Sequence, residues 1–229
     1  MEENKPVHIA IIPDGNRRWG ELHKISREEA YAIGIDKIQD VLTWCREFDI
    51  KMISFWGFSM DNFKRDSSEV GKLFELFKRN LKRVLDSEQR KKYDVRVKFF
   101  GRLHLFPREI QEMMKKGEEI SAKNKSYQLN LFLGYGGREE VVDAINGVIK
   151  EGIKEVDEKI ISEHLYTKEI PDPDLVIRTS GEQRLSGLMP WQTCYSEFYF
   201  SKKLWPDFTK EDFKAAIDEF ARRKRRYGK

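Results

Sequence analysis

Cysteine is nearly absent from this chain. Of 229 residues only Cys45 and Cys194 are cysteines, far apart and outside any CxxC or Cys/His cluster. That argues against a disulfide framework or a zinc site and makes a reducing cytoplasm the expected compartment. No apolar run approaches the ~20 residues that a membrane span needs. The opening MEENKPVHIA is acidic and polar, unlike a signal or transit peptide. Neither a Walker A motif nor GxGxxG spacing occurs, which disfavours an ordinary NTPase and a dinucleotide site. Repeats, low-complexity segments and linkers are also missing, and the length suits a single domain over 1–229.

What the chain does have is aromatic and charged side chains. Aromatic residues make up 12%, a fraction that a disordered chain would not carry. Charged residues make up 36%, with a net charge of +4. The last eight residues, RRKRRYGK, hold six positive charges and no acid, which leaves −2 for everything before them. Such a tail is a solvated helix end, a nucleic-acid patch or a phosphate-binding segment. The acidic balance of the body speaks against nucleic acid as a partner.

Short apolar runs alternate with helical patterns. Val7–Ile12, Met52–Phe58, Val95–Phe100, Leu129–Leu133, Leu175–Arg178 and Phe198–Phe200 read as strands. Between them Ser26 caps a helix with Ala30, Gly34, Ile38, Val41 and Cys45 on one stripe. Further helices are expected from about Ser68 to Arg90, from Pro107, from Arg138 to Lys150, and from Thr209 to about Arg226. Strands that are apolar on both faces and separated by helices predict an α/β fold with a mainly parallel sheet flanked by helices. Function in such sheets sits beyond the carboxyl ends of the strands.

The residues after the strands fit that rule. Pro13-Asp14-Gly15-Asn16-Arg17-Arg18-Trp19 follows the first strand, either as an ordinary turn or as an amide nest for an anion with two arginines and an acid beside it. Phe58-Ser59-Met60-Asp61-Asn62-Phe63-Lys64-Arg65 follows the second, as a cap and polar loop or as a second polar group at the site. Gly134-Tyr135-Gly136-Gly137-Arg138 follows the fourth, for close backbone packing or a helix N-terminus facing an anion. Arg178-Thr179-Ser180-Gly181-Glu182-Gln183-Arg184-Leu185-Ser186 follows the fifth as a second phosphate-cradle candidate, with Glu197 opening the sixth. Two phosphate groups and one divalent cation would satisfy this set. Phe55, Trp56, Phe58, Phe99, Phe100 and Phe132 beside it are core or the wall of an apolar slot.

Taken together, PDGNRRW, FSMDNFKR, GYGGREE, PDPDLVIRTSGEQRLS and WQTCYSEFYFSKKLWPDF resemble the cis-prenyltransferases, the undecaprenyl and dehydrodolichyl diphosphate synthase family, and look most like archaeal members. The resemblance runs from His8 to Gly228. It implies a six-stranded, mainly parallel sheet with surrounding helices and a hydrophobic tunnel. It implies an enzyme that condenses isopentenyl diphosphate with an allylic prenyl diphosphate in cis, releases diphosphate, requires Mg²⁺ and works as a homodimer, with a peripheral membrane contact for product release. By the same resemblance Asp14 is catalytic and, with Glu197, holds the metal. Gly15, Asn16, Arg17, Arg18, Trp19 and Arg27 serve the allylic diphosphate, and Ser59, Met60, Asp61, Asn62, Phe63 and Arg65 surround the reacting centre, with Asn62 implicated in proton removal. Arg178, Arg184, Leu185 and Ser186 serve isopentenyl diphosphate. Arg226 and Gly228 match an Arg-x-Gly motif that reaches a phosphate across the dimer.

Some positions depart from the family pattern. Tyr31 stands where members carry a phosphate-contacting His, Met60-Asp61 where Ser/Thr-Glu is usual, and Phe132 where a small residue is common. Phe132 and Trp56 are therefore expected to narrow the tunnel. The alternatives within the fold are a variant that makes short or irregularly joined products, and a non-catalytic partner subunit. The intact aspartate loop weighs against the latter.

Overall fold

In the computed structural model, residues 5–86 and 88–223 are described. Six strands form one sheet: β1 (His8–Ile12), β2 (Met52–Ser59), β3 (Val95–Phe100), β4 (Tyr127–Tyr135), β5 (Leu175–Arg178) and β6 (Glu197–Phe200). Their order is β3-β4-β2-β1-β5-β6, and all five pairings are parallel. The helices are α1 (Asn16–His23), α2 (Arg27–Glu47), α3 (Ser67–Asp86), α4 (Glu88–Lys92), α5 (Arg108–Ser121), α6 (Gly137–Lys150), α7 (Glu158–His164) and α8 (Lys210–Arg222).

The caps follow from the sequence. Ser26 and Glu29 close a capping box on α2, and Thr209 and Asp212 do the same on α8. Two helices were not foreseen. In α1 the turn chemistry of Asp14-Gly15-Asn16 runs straight into a helix, because Gly15 takes a left-handed φ of 109° and reverses the chain in one residue. The short α7 is capped by Asp157, whose side chain accepts from the Ile160 N–H. The last helix also stops earlier than expected: Arg223 is already extended, and the expected stretch to Arg226 lies outside the described residues.

Strand alternation sends side chains to two helical layers. Ile9, Ile11, Ile53, Phe55 and Leu129 pack on α2 and α8 through Val41, Cys45 and Phe213. Phe58, Leu133 and Phe99 continue that layer toward α3 and α5 through Leu73, Leu81 and Ile110. Ala10, Ile12, Phe100, Phe132 and Val176 face the opposite side, against Leu188 and Met189. Phe132 is fully buried there. No helix among the described residues is long and apolar enough to cross a membrane.

Candidate active site at the carboxyl edge of the sheet

Asp14 lies two residues past the end of β1, where β5 ends beside it at Arg178. Arg178 Nη2 donates to Asp14 Oδ2 at 2.8 Å. The other arm of the fork, Nη1, donates to Ser186 Oγ at 2.8 Å and to the carbonyl of Arg184. Arg178 is only 4% exposed, so this guanidinium is a buried brace between two loops. Ser186 has a φ of 52°, which turns the loop back onto Arg178. The backbone carbonyl of Asp14 accepts from Thr179 Oγ1 at 2.7 Å and from the Trp205 N–H at 3.0 Å. Burial on its own would raise the Asp14 carboxyl. The hydrogen bond from Arg178, with the charges of Arg178 and Arg18, outweighs it and holds the group below its ordinary value.

On the other side of Asp14, α1 presents its N-terminus with Arg17 and Arg18 in the first turn. Unsatisfied N–H groups and two guanidinium groups make this end attractive to an anion. Arg18 also reaches Glu182 at 3.9 Å and the Ser180 carbonyl at 3.4 Å, which links the first loop to the fifth-strand loop. A Cβ on Gly15 would meet Leu204 at 2.9 Å, and one on Gly34 would meet Asn16 Oδ1 at 2.0 Å. These two glycines let α1, α2 and the Leu204 loop close around the site. Asn16 Oδ1 and Arg178 Nε are buried without a hydrogen-bond partner.

A cavity of about 330 Å³ opens at this point, between the sheet and the α2–α3 layer. Asp14, Asn16, Arg17, Arg18, Asn62 and Arg65 line its polar end. Its wall is apolar, from Ile35 and Ile38 of α2, Leu73 and Phe77 of α3, and Leu131 and Leu133 of β4. Tyr31 lines it too and accepts from Arg65 Nη1 at 2.9 Å, so this phenol holds an arginine at the cavity. Arg65 and Arg27 share Glu69, at 2.9 and 3.2 Å. Arg27 lines a neighbouring cavity whose wall also includes Tyr31.

Other positions named from the sequence lie elsewhere. The Ser59 N–H donates to Asn62 Oδ1 at 2.8 Å. That engages one lone pair of the Asn62 carbonyl and leaves its NH₂, a donor, for the cavity. Phe63 packs on Phe58 and Phe106 in an aromatic cluster, with ring centroids 4.8 and 5.4 Å away. Asp61 is exposed and pairs with Lys64. Met60 leans toward Gly136, Leu185 packs on the opposite sheet face, and Trp19 Nε1 donates to Asp207 at 2.7 Å. Arg184 points to Glu182. Glu197 opens β6 level with Leu175, three residues before Arg178 on β5, so about 10 Å of strand separates it from the Asp14 end. It pairs with Arg223 at 2.6 Å. Within one chain Asp14 and Glu197 therefore do not converge. Arg226 and Gly228 lie outside the described residues.

The expectation that Phe132 narrows the slot is overturned. Leu129, Leu131 and Leu133 line the cavity and Phe132 does not, because alternate residues of β4 face opposite layers. Phe99 and Phe100 do not line it either, whereas Phe55, Trp56 and Phe58 do. The glycines after β4 serve close packing. Gly137 N–H donates to the Gly187 carbonyl at 2.8 Å, and a Cβ on Gly137 would fall 2.0 Å from Pro190. Sequence reading also missed the polar residues Asp36, Gln39, Asn80 and Arg83 in the cavity wall. Their helical spacing was visible, but not which helix faces would meet.

Residues 12–228 match the family model of the undecaprenyl diphosphate synthases. The chain belongs to this family. It is 42% identical to a tritrans,polycis-undecaprenyl-diphosphate synthase (geranylgeranyl-diphosphate specific) of Thermoplasma volcanium, an alignment covering 100% of this chain and 93% of the relative. It is 43% identical to an isoprenyl transferase of Thermus thermophilus over 98% of this chain and 89% of that one. Among solved structures, lavandulyl diphosphate synthase from Lavandula x intermedia, in complex with dimethylallyl diphosphate, superposes with a TM-score of 0.91 at 32% identity, covering both chains fully. The cis-prenyltransferase fold accounts for the pairing of an anion-binding edge with an apolar cavity on one layer of the sheet.

Proposed function

We propose that this chain elongates an allylic prenyl diphosphate with isopentenyl diphosphate to give a cis-polyprenyl diphosphate. The observation that carries this reading is the position of Asp14. It stands ionised between the α1 N-terminus and the Arg178–Ser186 cradle, at the polar end of an apolar cavity. The allylic diphosphate lies against Asn16, Arg17 and Arg18 with its hydrocarbon in the cavity, and isopentenyl diphosphate lies on the Arg178 side.

As the allylic C–O bond breaks, negative charge grows on the departing diphosphate. Arginines fixed in advance around that group stabilise it more in the transition state than in the ground state. The apolar wall keeps water from the allylic carbon. The new carbon–carbon bond forms to isopentenyl diphosphate, which then loses a proton. Asn62 is an amide and a very weak base, so it orients a substrate, and the released diphosphate is the proton acceptor.

Mg²⁺ fits the residues present. It favours one or two carboxylates plus substrate phosphates over an all-protein cage. Asp14, partly exposed and ionised, supplies one such oxygen set, and no cluster of three acidic, His or Cys ligands exists among the described residues. Bound there, the ion neutralises charge on the diphosphate. Glu197 reaches a metal only from a second copy.

A homodimer is part of the proposal. Val142, Ile145 and Ile149 form an exposed apolar stripe along α6, which supports self-association. The product is a lipid, which supports a peripheral membrane contact on release. The test is incubation with isopentenyl diphosphate and a panel of allylic diphosphates from dimethylallyl to geranylgeranyl, with and without Mg²⁺. Mass and NMR of the dephosphorylated products should show cis-linked units that form only with Mg²⁺. Absence of any chain longer than the primer would refute the reading.

A further inference from the structure

The cavity changes character along its length. Helices α2 and α3 run side by side away from the carboxyl edge of the sheet, bridged first by Arg27 with Glu69 and Glu28 with Lys72, then by Asp36 with Arg83. Asp36 is nine residues past Arg27, or about 13 Å along the helix, and Arg83 is fourteen past Glu69, about 21 Å. Between these levels the wall is apolar. At the far level four polar side chains line it: Asp36, Gln39, Asn80 and Arg83.

Arg83 Nη1 donates to Asp36 Oδ1 at 2.5 Å and to Asn80 Oδ1 at 3.1 Å, while Asn80 Nδ2 donates to the Leu76 carbonyl at 2.8 Å. The Asp36 and Arg83 side chains are each 56% exposed. A pair that lines the cavity and is also half open to water sits at a mouth. It is the Asp36–Arg83 mouth, opposite the Asp14 end.

We propose that the Asp36–Arg83 ion pair is the length stop of the prenyl cavity, the device that sets how many units this chain adds. The proposal rests on the prenyl-transfer reading above. A hydrocarbon end that reaches the mouth has two options. It can lie against the pair and strip water from two charges, which is unfavourable even for partnered ions. Or it can part the pair and leave each charge beside hydrocarbon. Both penalties start only when the tail arrives, so they act on late additions and spare early ones. An apolar mouth of the same size would carry no such penalty.

The test uses the full chain with Mg²⁺, excess isopentenyl diphosphate and geranylgeranyl diphosphate as primer, with products dephosphorylated and sized by mass. The double variant Asp36→Leu/Arg83→Met makes the mouth apolar. The swap Asp36→Arg/Arg83→Asp keeps an ion pair. Glu28→Leu/Lys72→Met removes a different α2–α3 bridge that does not line this cavity. All four positions are substantially exposed, and thermal melting checks that each variant is folded. The apolar mouth should move the most abundant product up by at least one isoprene unit, while the swap and the Glu28/Lys72 variant match the wild type. An unchanged distribution in the apolar variant overturns the proposal. So does an equal shift in the Glu28/Lys72 variant, which would make loosening of the helix pair the cause. Loss of all transfer in the wild type would overturn the prenyl-transfer reading and this proposal with it.

Discussion

Asp14 is tied down by its backbone and left free to act by its carboxylate. Thr179 and Trp205 hold its carbonyl, and Arg178 holds one carboxylate oxygen, while the side chain stays about one-third exposed. Its acid–base behaviour follows in sign. The folded group sits below its ordinary value, so the Arg178 pair is fully formed above the usual carboxylate range and is lost as pH falls through the folded value. Asp14→Asn keeps the shape and removes the charge. The charge counts most when diphosphate departs, so kcat should fall on the order of 10²-fold or more with a much smaller change in KM. Steady-state kinetics at saturating Mg²⁺ check this, and a variant with near wild-type kcat would remove Asp14 from the mechanism. At this scale the sequence was informative about residue types and silent about pairing. The arginines, the aspartate and Ser186 could be named from the segments after the strands. That Arg178 forks between Asp14 and Ser186 depends on two loops 164 and 8 residues away, which no local pattern records.

Strand β4 shows what an element's sequence can and cannot reveal. Alternation was legible, but both faces of a central parallel strand are buried, so the sequence did not mark which face meets the cavity. The outcome is Leu133 on the cavity side and Phe132 packed at 4.7 Å from the Tyr135 ring on the other. Leu133→Ala should therefore lengthen the product. Phe132→Ala should cost about 3–5 kcal/mol of stability with product length unchanged. Product masses and thermal melts of the two variants separate the faces, and longer chains from Phe132→Ala alone would contradict the assignment.

The same central strands carry a buried polar chain. His8 Nε2 meets Ser54 Oγ at 2.7 Å, Asn130 Nδ2 donates to Ser54 Oγ at 3.0 Å, and His8 Nδ1 meets the Pro171 carbonyl at 2.8 Å. Burial lowers His8 to about 4, against the pull of the Pro171 hydrogen bond and of Asp174. A lowered His value means that the unfolded chain takes up the proton first. His8 therefore costs no stability above pH 6.5 and destabilises increasingly from 6.5 down to about 4, by roughly 3 kcal/mol at the lower end. Urea melts across that range should show the slope in the wild type and a flatter one in His8→Asn. Equal slopes would place the proton uptake elsewhere.

At the scale of the whole molecule, one chain holds the anion cradles and the cavity but keeps Glu197 at the far end of its strands. In the proposed homodimer a second copy completes the site, and the exposed α6 stripe is the apolar surface offered for it. Truncation after Arg222 should leave a folded chain, because the hydrophobic core of α8 ends at Phe220. Its activity should collapse. Mixing it with Asp14→Ala should restore part of that activity, since one hybrid site then has both intact segments. A fully active truncated chain would end the shared-site account.

In the proposed mechanism two distinct anion cradles meet at Asp14, and Arg178→Lys tests this most directly. A lysine is a point charge and cannot bridge Asp14, Ser186 and the Arg184 carbonyl as the forked guanidinium does. Initial rates measured against each substrate in turn should show KM for isopentenyl diphosphate raised by about tenfold or more, with KM for the allylic diphosphate within about twofold of wild type. An equal rise for both substrates would contradict it.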